Sequence, residues 1–201
     1  IQNIMSVIKQ NMSDKSKPDT NYHLHKTVVL VGMMGAGKTA VGRALAARLD
    51  VPFLDSDHEI ELAAARTIPE IFERDGEGFF RAKESQVIAR LLTETPGILS
   101  TGGGAFLAPQ NRQQISQQGV SVWLNANLNL LWSRVRHKDT RPLLRTPDPL
   151  GKLTELYEAR VPIYRQADLM VQADKKFSID DMVDRVIDAL LHRPDVLERS
   201  K

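Results

Sequence analysis

Apolar positions along this chain recur in two different patterns, and the switching between them sets the expected elements. The run Thr27-Val28-Val29-Leu30-Val31 is continuous and rich in β-branched residues, as in a strand buried on both faces. Similar short runs lie at 52–54, 97–101, 120–124 and 168–172. Between them, apolar residues return at helical spacing near 38–49, 57–65, 68–74, 79–93, 109–117, 127–136, 150–166 and 178–192. Pro69 and Pro109 fall where a helix accepts proline, in a first turn. Strand runs alternating with helices predict an α/β fold, a mostly parallel sheet covered by helices on both faces. Ligands in such folds bind beyond the carboxyl ends of the strands.

Three of those ends carry polar or glycine-rich sequence. The first is Gly32-Met33-Met34-Gly35-Ala36-Gly37-Lys38-Thr39, which matches G-x-x-x-x-G-K-[ST] between a strand and a helix. Glycine lets successive N–H groups point inward, and the helix N-terminus adds positive potential, so the segment is built to cradle phosphates. Lys38 is positioned for the β- and γ-phosphates and the Thr39 hydroxyl for Mg²⁺. The second end, Asp55-Ser56-Asp57, offers two carboxylates, one for a metal and one for an acceptor hydroxyl; helix capping by Ser56 or Asp57 is the alternative. The third, Gly102-Gly103-Gly104 after Thr101, permits close backbone approach to a ligand, and Thr101 could join the magnesium or γ-phosphate shell.

Further along, Arg81 and Glu84 stand three apart on one helix face beside Phe79 and Phe80. They make either a surface ion pair or a fixed guanidinium fork for a carboxylate ligand. Arg160 lies on a basic helical stretch and by spacing alone reads as solvated. Residues 137–149 hold three prolines and four basic residues (His137, Lys138, Arg141 and Arg145), the composition of a long loop. Beside a phosphate loop, that composition suits a lid that excludes water.

The chain of 201 residues, 42% hydrophobic and 26% charged with net charge +2, fits a single globular domain. The weak charge gives no indication of nucleic acid or membrane as a partner. There is no cysteine, which excludes disulfides, thiolate metal sites and a cysteine nucleophile, and agrees with a cytoplasmic setting. No apolar run is long enough to span a bilayer. Residues 1–26 read as a flexible polar extension, with Met5 and Met12 as alternative starts; 27–192 read as the folded domain and 193–201 as a tail.

Together these motifs resemble the shikimate kinase family. The resemblance rests on 32–39, on Asp55-Ser56-Asp57, and on Ile71-Phe72 with Asp75-Gly76-Glu77, Phe80-Arg81 and Glu84. It continues through Leu99 to Ala105, Thr140-Arg141-Pro142-Leu143-Leu144, and Arg160, Pro162 and Tyr164. It implies a three-layer α/β/α fold with a five-stranded parallel sheet and a lid. The implied reaction moves the ATP γ-phosphoryl group to the 3-hydroxyl of shikimate, a step toward chorismate and the aromatic amino acids. On that resemblance, the backbone of Gly35, Ala36, Gly37, Lys38, Thr39 and Ala40 would hold the phosphates. Thr39 would ligate Mg²⁺, with Asp55 in its outer shell. Asp57 would bind the acceptor hydroxyls and act as base, while Lys38 and, from the lid, Arg141 would neutralise the phosphates. Arg81 and Arg160 would clamp the shikimate carboxylate, Glu84 would steady Arg81, and Gly102, Gly103 and Gly104 would line the acceptor, Gly103 through its backbone.

Ala40 stands where the family commonly has serine or threonine. Arg134 and Arg136 are both open as adenine contacts, and a monomer is the expected state. Gluconate kinase or a nucleoside monophosphate kinase is the nearest rival, and a nucleotide-binding regulatory module without turnover is the rival of another class.

Overall fold

The computed structural model describes residues 22–137 and 142–200. Its first strand, β1 (Tyr22–Leu24), is followed by β2 (Thr27–Val31), which is buried along its whole length. The phosphate loop then leads into α1 (Lys38–Leu49), and β3 (Phe53–Asp55) leads straight into α2 (Ser56–Ala64). Next comes α3 (Ile68–Leu91), opened by a capping box between Thr67 and Glu70 with Pro69 in the first turn. Gly76, at φ 81° and ψ 173°, breaks α3 into the two helical stretches the sequence implies.

The strand β4 (Ile98–Ser100) ends at the triple glycine, and a short 3₁₀ turn (Ala105–Leu107) follows. Then come α4 (Pro109–Gln118), β5 (Gly119–Asn125) and α5 (Leu128–Val135), the last capped by the Asn127 side chain on the Leu130 N–H. After a 3₁₀ turn at Pro142–Leu144, α6 (Pro149–Tyr164), β6 (Leu169–Gln172) and α7 (Ile179–Leu190) complete the domain, and β7 (Leu197–Arg199) ends it.

The main sheet has the order β3-β4-β2-β5-β6, all parallel. From β2 the chain goes to the edge strand β3, returns to β4 between them, then crosses to β5 and β6. The strand order therefore reverses beside the carboxyl end of β2, which is where such sheets bind ligands. On the sheet, α1 packs with α7, and α4 with α3. Val28, Val29, Leu30, Leu99, Val120 and Val122 are fully buried between these layers.

A second sheet departs from the expected boundaries. Tyr22–Leu24, assigned above to the extension, pair antiparallel with Leu197–Arg199 of the tail. Leu24 and Leu197 are buried there, and Lys26 donates to Asp195 at 2.8 Å. Three-residue strands carry too little periodicity to stand out, and their partner lies at the other end of the chain. Residues 1–21 and the lid positions 138–141, Arg141 among them, lie outside the described residues. Among the described residues no helix is long and apolar enough to cross a membrane.

Candidate active site

The phosphate loop takes its shape from three glycines in left-handed or neighbouring backbone, Gly32 (φ 139°), Gly35 (φ 82°) and Gly37 (φ 97°). Gly37 is the N-cap of α1 and has no side chain to cap with, so the first amides of the helix face outward without a side-chain acceptor. The Lys38 ammonium donates to the carbonyls of Gly32 at 2.8 Å and Met33 at 3.0 Å, which lays the cation across the loop. Arg134 braces the other side, its Nη1 donating to the carbonyls of Gly35 (3.0 Å) and Ala36 (3.3 Å). Of the two arginines left open by the sequence, Arg134 thus meets the loop, while Arg136 is exposed.

The aspartate pair divides its work, though not in the way capping alone suggested. Asp55, rather than Ser56 or Asp57, is the N-cap of α2, its Oδ1 accepting the Asp57 N–H at 3.0 Å. Asp57 is left with its carboxylate in the crevice. Burial and the neighbouring Asp55 charge push its pKa up, against the pull of Lys38. The Thr39 hydroxyl lies 3.4 Å from Ser100 Oγ. Thr101, by contrast, turns its hydroxyl onto the Leu30 carbonyl at 3.0 Å. The hydroxyl of β4 that faces Thr39 is therefore Ser100, one residue earlier than the sequence suggested.

Each member of the triple glycine seats a different side chain. A methyl group on Gly102 would lie 2.9 Å from Asp57 Oδ1, one on Gly103 3.3 Å from Arg160 Nη1, and one on Gly104 2.5 Å from Arg81 Nη1. Absence of Cβ at these positions thus lets one carboxylate and two guanidinium groups lie close over the turn, where an added methyl would make Asp57 and Arg81 shift. Arg81 is held at 2.8 Å by Glu84, whose side chain is 1% exposed. Burial pushes the Glu84 pKa up and Arg81 opposes it. The other oxygen, Oε1, is buried without a hydrogen-bond partner among the described residues. Phe80 packs on Phe72 beside this pair, whereas Phe79 is half exposed under Lys83.

Two adjoining cavities result. The larger, about 640 Å³, is lined by the loop from Gly35 through Ala40, by Asp55 and Ser100, and by Arg134. Phe177, Ser178, Ile179 and Met182 close it from the start of α7, a contribution the sequence reading missed because apolar residues at a helix start read as core. The smaller, about 250 Å³, is lined by Arg81, Glu84, Gly104 and Arg160, with Phe72, Phe80 and Leu143 as apolar wall. Asp57, Gly102, Gly103 and Met34 border both. All the proposed site residues among those described therefore fall on this one crevice.

A phosphate loop on a five-stranded parallel sheet, opening onto a second cavity with a carboxylate and two arginines, defines a phosphate-loop kinase of small molecules. The family model described as shikimate kinase matches residues 34–191. A shikimate kinase of Ruegeria pomeroyi is 68% identical over 98% of this chain and 100% of its own length. One of Cereibacter sphaeroides is 66% identical over 87% of each chain. Among solved structures, the shikimate kinase of Acinetobacter baumannii in complex with shikimate superposes with a TM-score of 0.77 at 39% identity, covering 83% of this chain and 93% of that one. The chain belongs to the shikimate kinase family.

Proposed function

We propose that this chain transfers the γ-phosphoryl group of ATP to the 3-hydroxyl of shikimate, with the nucleotide in the larger cavity and shikimate in the smaller. The observation that carries this reading is the position of Asp57 on the border between the two, over Gly102 and beside the arginine-lined cavity. A cyclic hydroxy acid needs a cationic clamp at one end and a hydroxyl-directed carboxylate at the other. Arg81 and Arg160 supply the clamp, and Asp57 the carboxylate.

The loop amides and Lys38 bind the phosphates, and their fixed positive charge favours the electron-rich transition state. Asp57 orients the 3-hydroxyl and accepts its proton as the new P–O bond forms and the bond to the ADP leaving oxygen breaks. Its raised pKa makes it a better proton acceptor than an exposed aspartate. Glu84 holds Arg81 still, and a role for Arg141 on the ATP phosphates rests on the family resemblance alone.

The residues present suit Mg²⁺. The Thr39 hydroxyl and the Asp55 carboxylate border the nucleotide cavity, a hard-oxygen pair that leaves most positions to phosphates and water. When bound, the ion neutralises phosphate charge.

The test is ADP release with Mg-ATP, comparing shikimate, gluconate and a panel of nucleoside monophosphates. Turnover with shikimate alone is the expected result. Turnover with another acceptor would overturn the assignment of Asp57, Arg81 and Arg160 while leaving the phosphate loop intact.

A further inference from the structure

The carbonyl groups of the triple-glycine turn are all claimed. Gly102 O accepts from the Ala105 N–H at 3.2 Å and Gly104 O from the Leu107 N–H at 3.1 Å. Ala105 O accepts from Asn111 Nδ2 at 2.9 Å, and Phe106 O and Leu107 O accept from Arg112 Nη1 at 2.9 and 2.8 Å. Gly103 O has the one partner that comes from across the fold, the Tyr164 hydroxyl at 2.5 Å. Among the described residues, the N–H groups of Gly103 and Gly104 have no such partner.

Gly103 O and the Gly104 N–H belong to the same peptide unit. In a trans peptide they point to opposite edges of one plane. A peptide between two glycines meets little steric resistance to turning over, so its orientation must be imposed from outside. Tyr164 is well built to impose it. Its ring is fully buried, stacked between Trp123 and Phe106 at centroid distances of 6.3 and 6.5 Å. Burial also pushes its pKa up, partly offset by Arg160, so the hydroxyl stays a donor across the working range.

We propose that Tyr164 is a positioning residue that latches the Gly103–Gly104 peptide, turning the Gly104 N–H toward the acceptor carboxylate between Arg81 and Arg160. The inference rests on the acceptor site proposed above. A fixed amide there adds a directional donor to two cations that by themselves fix charge more than orientation. The cost of aligning the peptide is met in folding rather than on binding.

Tyr164→Phe keeps the ring stack and removes the hydroxyl from both Gly103 O and Arg160. Comparing the Gly104 amide resonance between wild type and variant separates the latch from the loss at Arg160. Loss of one charge-assisted hydrogen bond predicts a KM for shikimate about tenfold higher. The KM for ATP is expected to stay within about twofold, because the phosphate loop does not use this peptide. With the carboxamide of shikimate as acceptor, the same substitution is expected to cost much less, since the charge is gone. An unchanged shikimate KM, or equal losses against carboxylate and carboxamide, would overturn the latch. Wild-type protein labelled with ¹⁵N-glycine gives an independent reading, in which shikimate moves the Gly104 amide resonance downfield. A Gly104 resonance indifferent to saturating shikimate would overturn the latch even if the variant failed to fold. A wild type inactive toward shikimate would overturn the acceptor site itself and the latch with it.

Discussion

Asp57 is the residue at which binding, chemistry and stability conflict most. Its pKa is raised by burial and by Asp55, so in the folded protein the carboxyl holds its proton to higher pH than in the unfolded chain. Stability from that difference is present below the unfolded pKa and is lost as pH rises through the folded one. At neutral pH the ionised group therefore costs stability, and Asp57→Asn is expected to raise Tm by a few degrees while abolishing turnover. The gain should fade in acid below the ordinary carboxylate range, which thermal melts across pH would read directly. Wild-type kcat/KM should fall on acidification with a midpoint above that of a free aspartate. Arg160 lines only the smaller cavity, so on the proposed clamp Arg160→Ala is expected to raise the shikimate KM at least tenfold and leave the ATP KM nearly unchanged. Initial-rate measurements with each substrate varied would check this, and equal effects on both would remove Arg160 from the clamp. The loop lysine and threonine were legible in the sequence because a phosphate loop is one contiguous stretch of backbone. Arg160 was not, because its seat on Gly103 is made by a segment 57 residues earlier in the chain.

At the level of elements, the helices and the five main strands follow from local signals: β-branched runs, prolines in first turns, and side-chain caps at Asp55, Thr67, Asn127 and Ser178. The β1–β7 clasp does not, since each strand is three residues long and meaningful only with its partner. The clasp stands away from both cavities, none of whose lining residues it supplies. Removing residues 1–24 deletes β1 and uncovers Leu197. The expected loss of Tm is roughly 5–10 °C, as for a buried leucine lost from a domain of this size. The kcat/KM should stay within about twofold of the full chain. A truncated protein with a normal Tm but poor kcat/KM would show that the extension serves the site instead of the fold.

Across the whole molecule, strand order does the work of assembly. Because β2 lies between β4 and β5, its phosphate loop opens beside the triple glycine that ends β4. α3 and α6 then bring Arg81 and Arg160 to that turn from opposite halves of the chain. The described residues hold no cluster of three or more His, Asp or Glu side chains able to keep a metal by themselves. Mg²⁺ is therefore expected to arrive with the nucleotide. Chelation by EDTA should abolish ADP release, and excess Mg²⁺ should restore it, with no change in the Tm of the nucleotide-free protein. A lower Tm on chelation would mean a resident metal instead.

The alternation of strand and helix, the buried character of β2, the phosphate loop and the helix starts were determined by the sequence alone, because each depends on backbone preferences acting over a few neighbouring residues. The tertiary structure decided the rest. It chose Ser100 over Thr101 to face Thr39, set Asp57, Arg160 and Arg81 over successive glycines, and drew Tyr164 onto the Gly103 carbonyl. These meetings depend on strand order and on how the helices pack on the sheet. Both are set by burial of the whole core, which no local stretch of chain encodes.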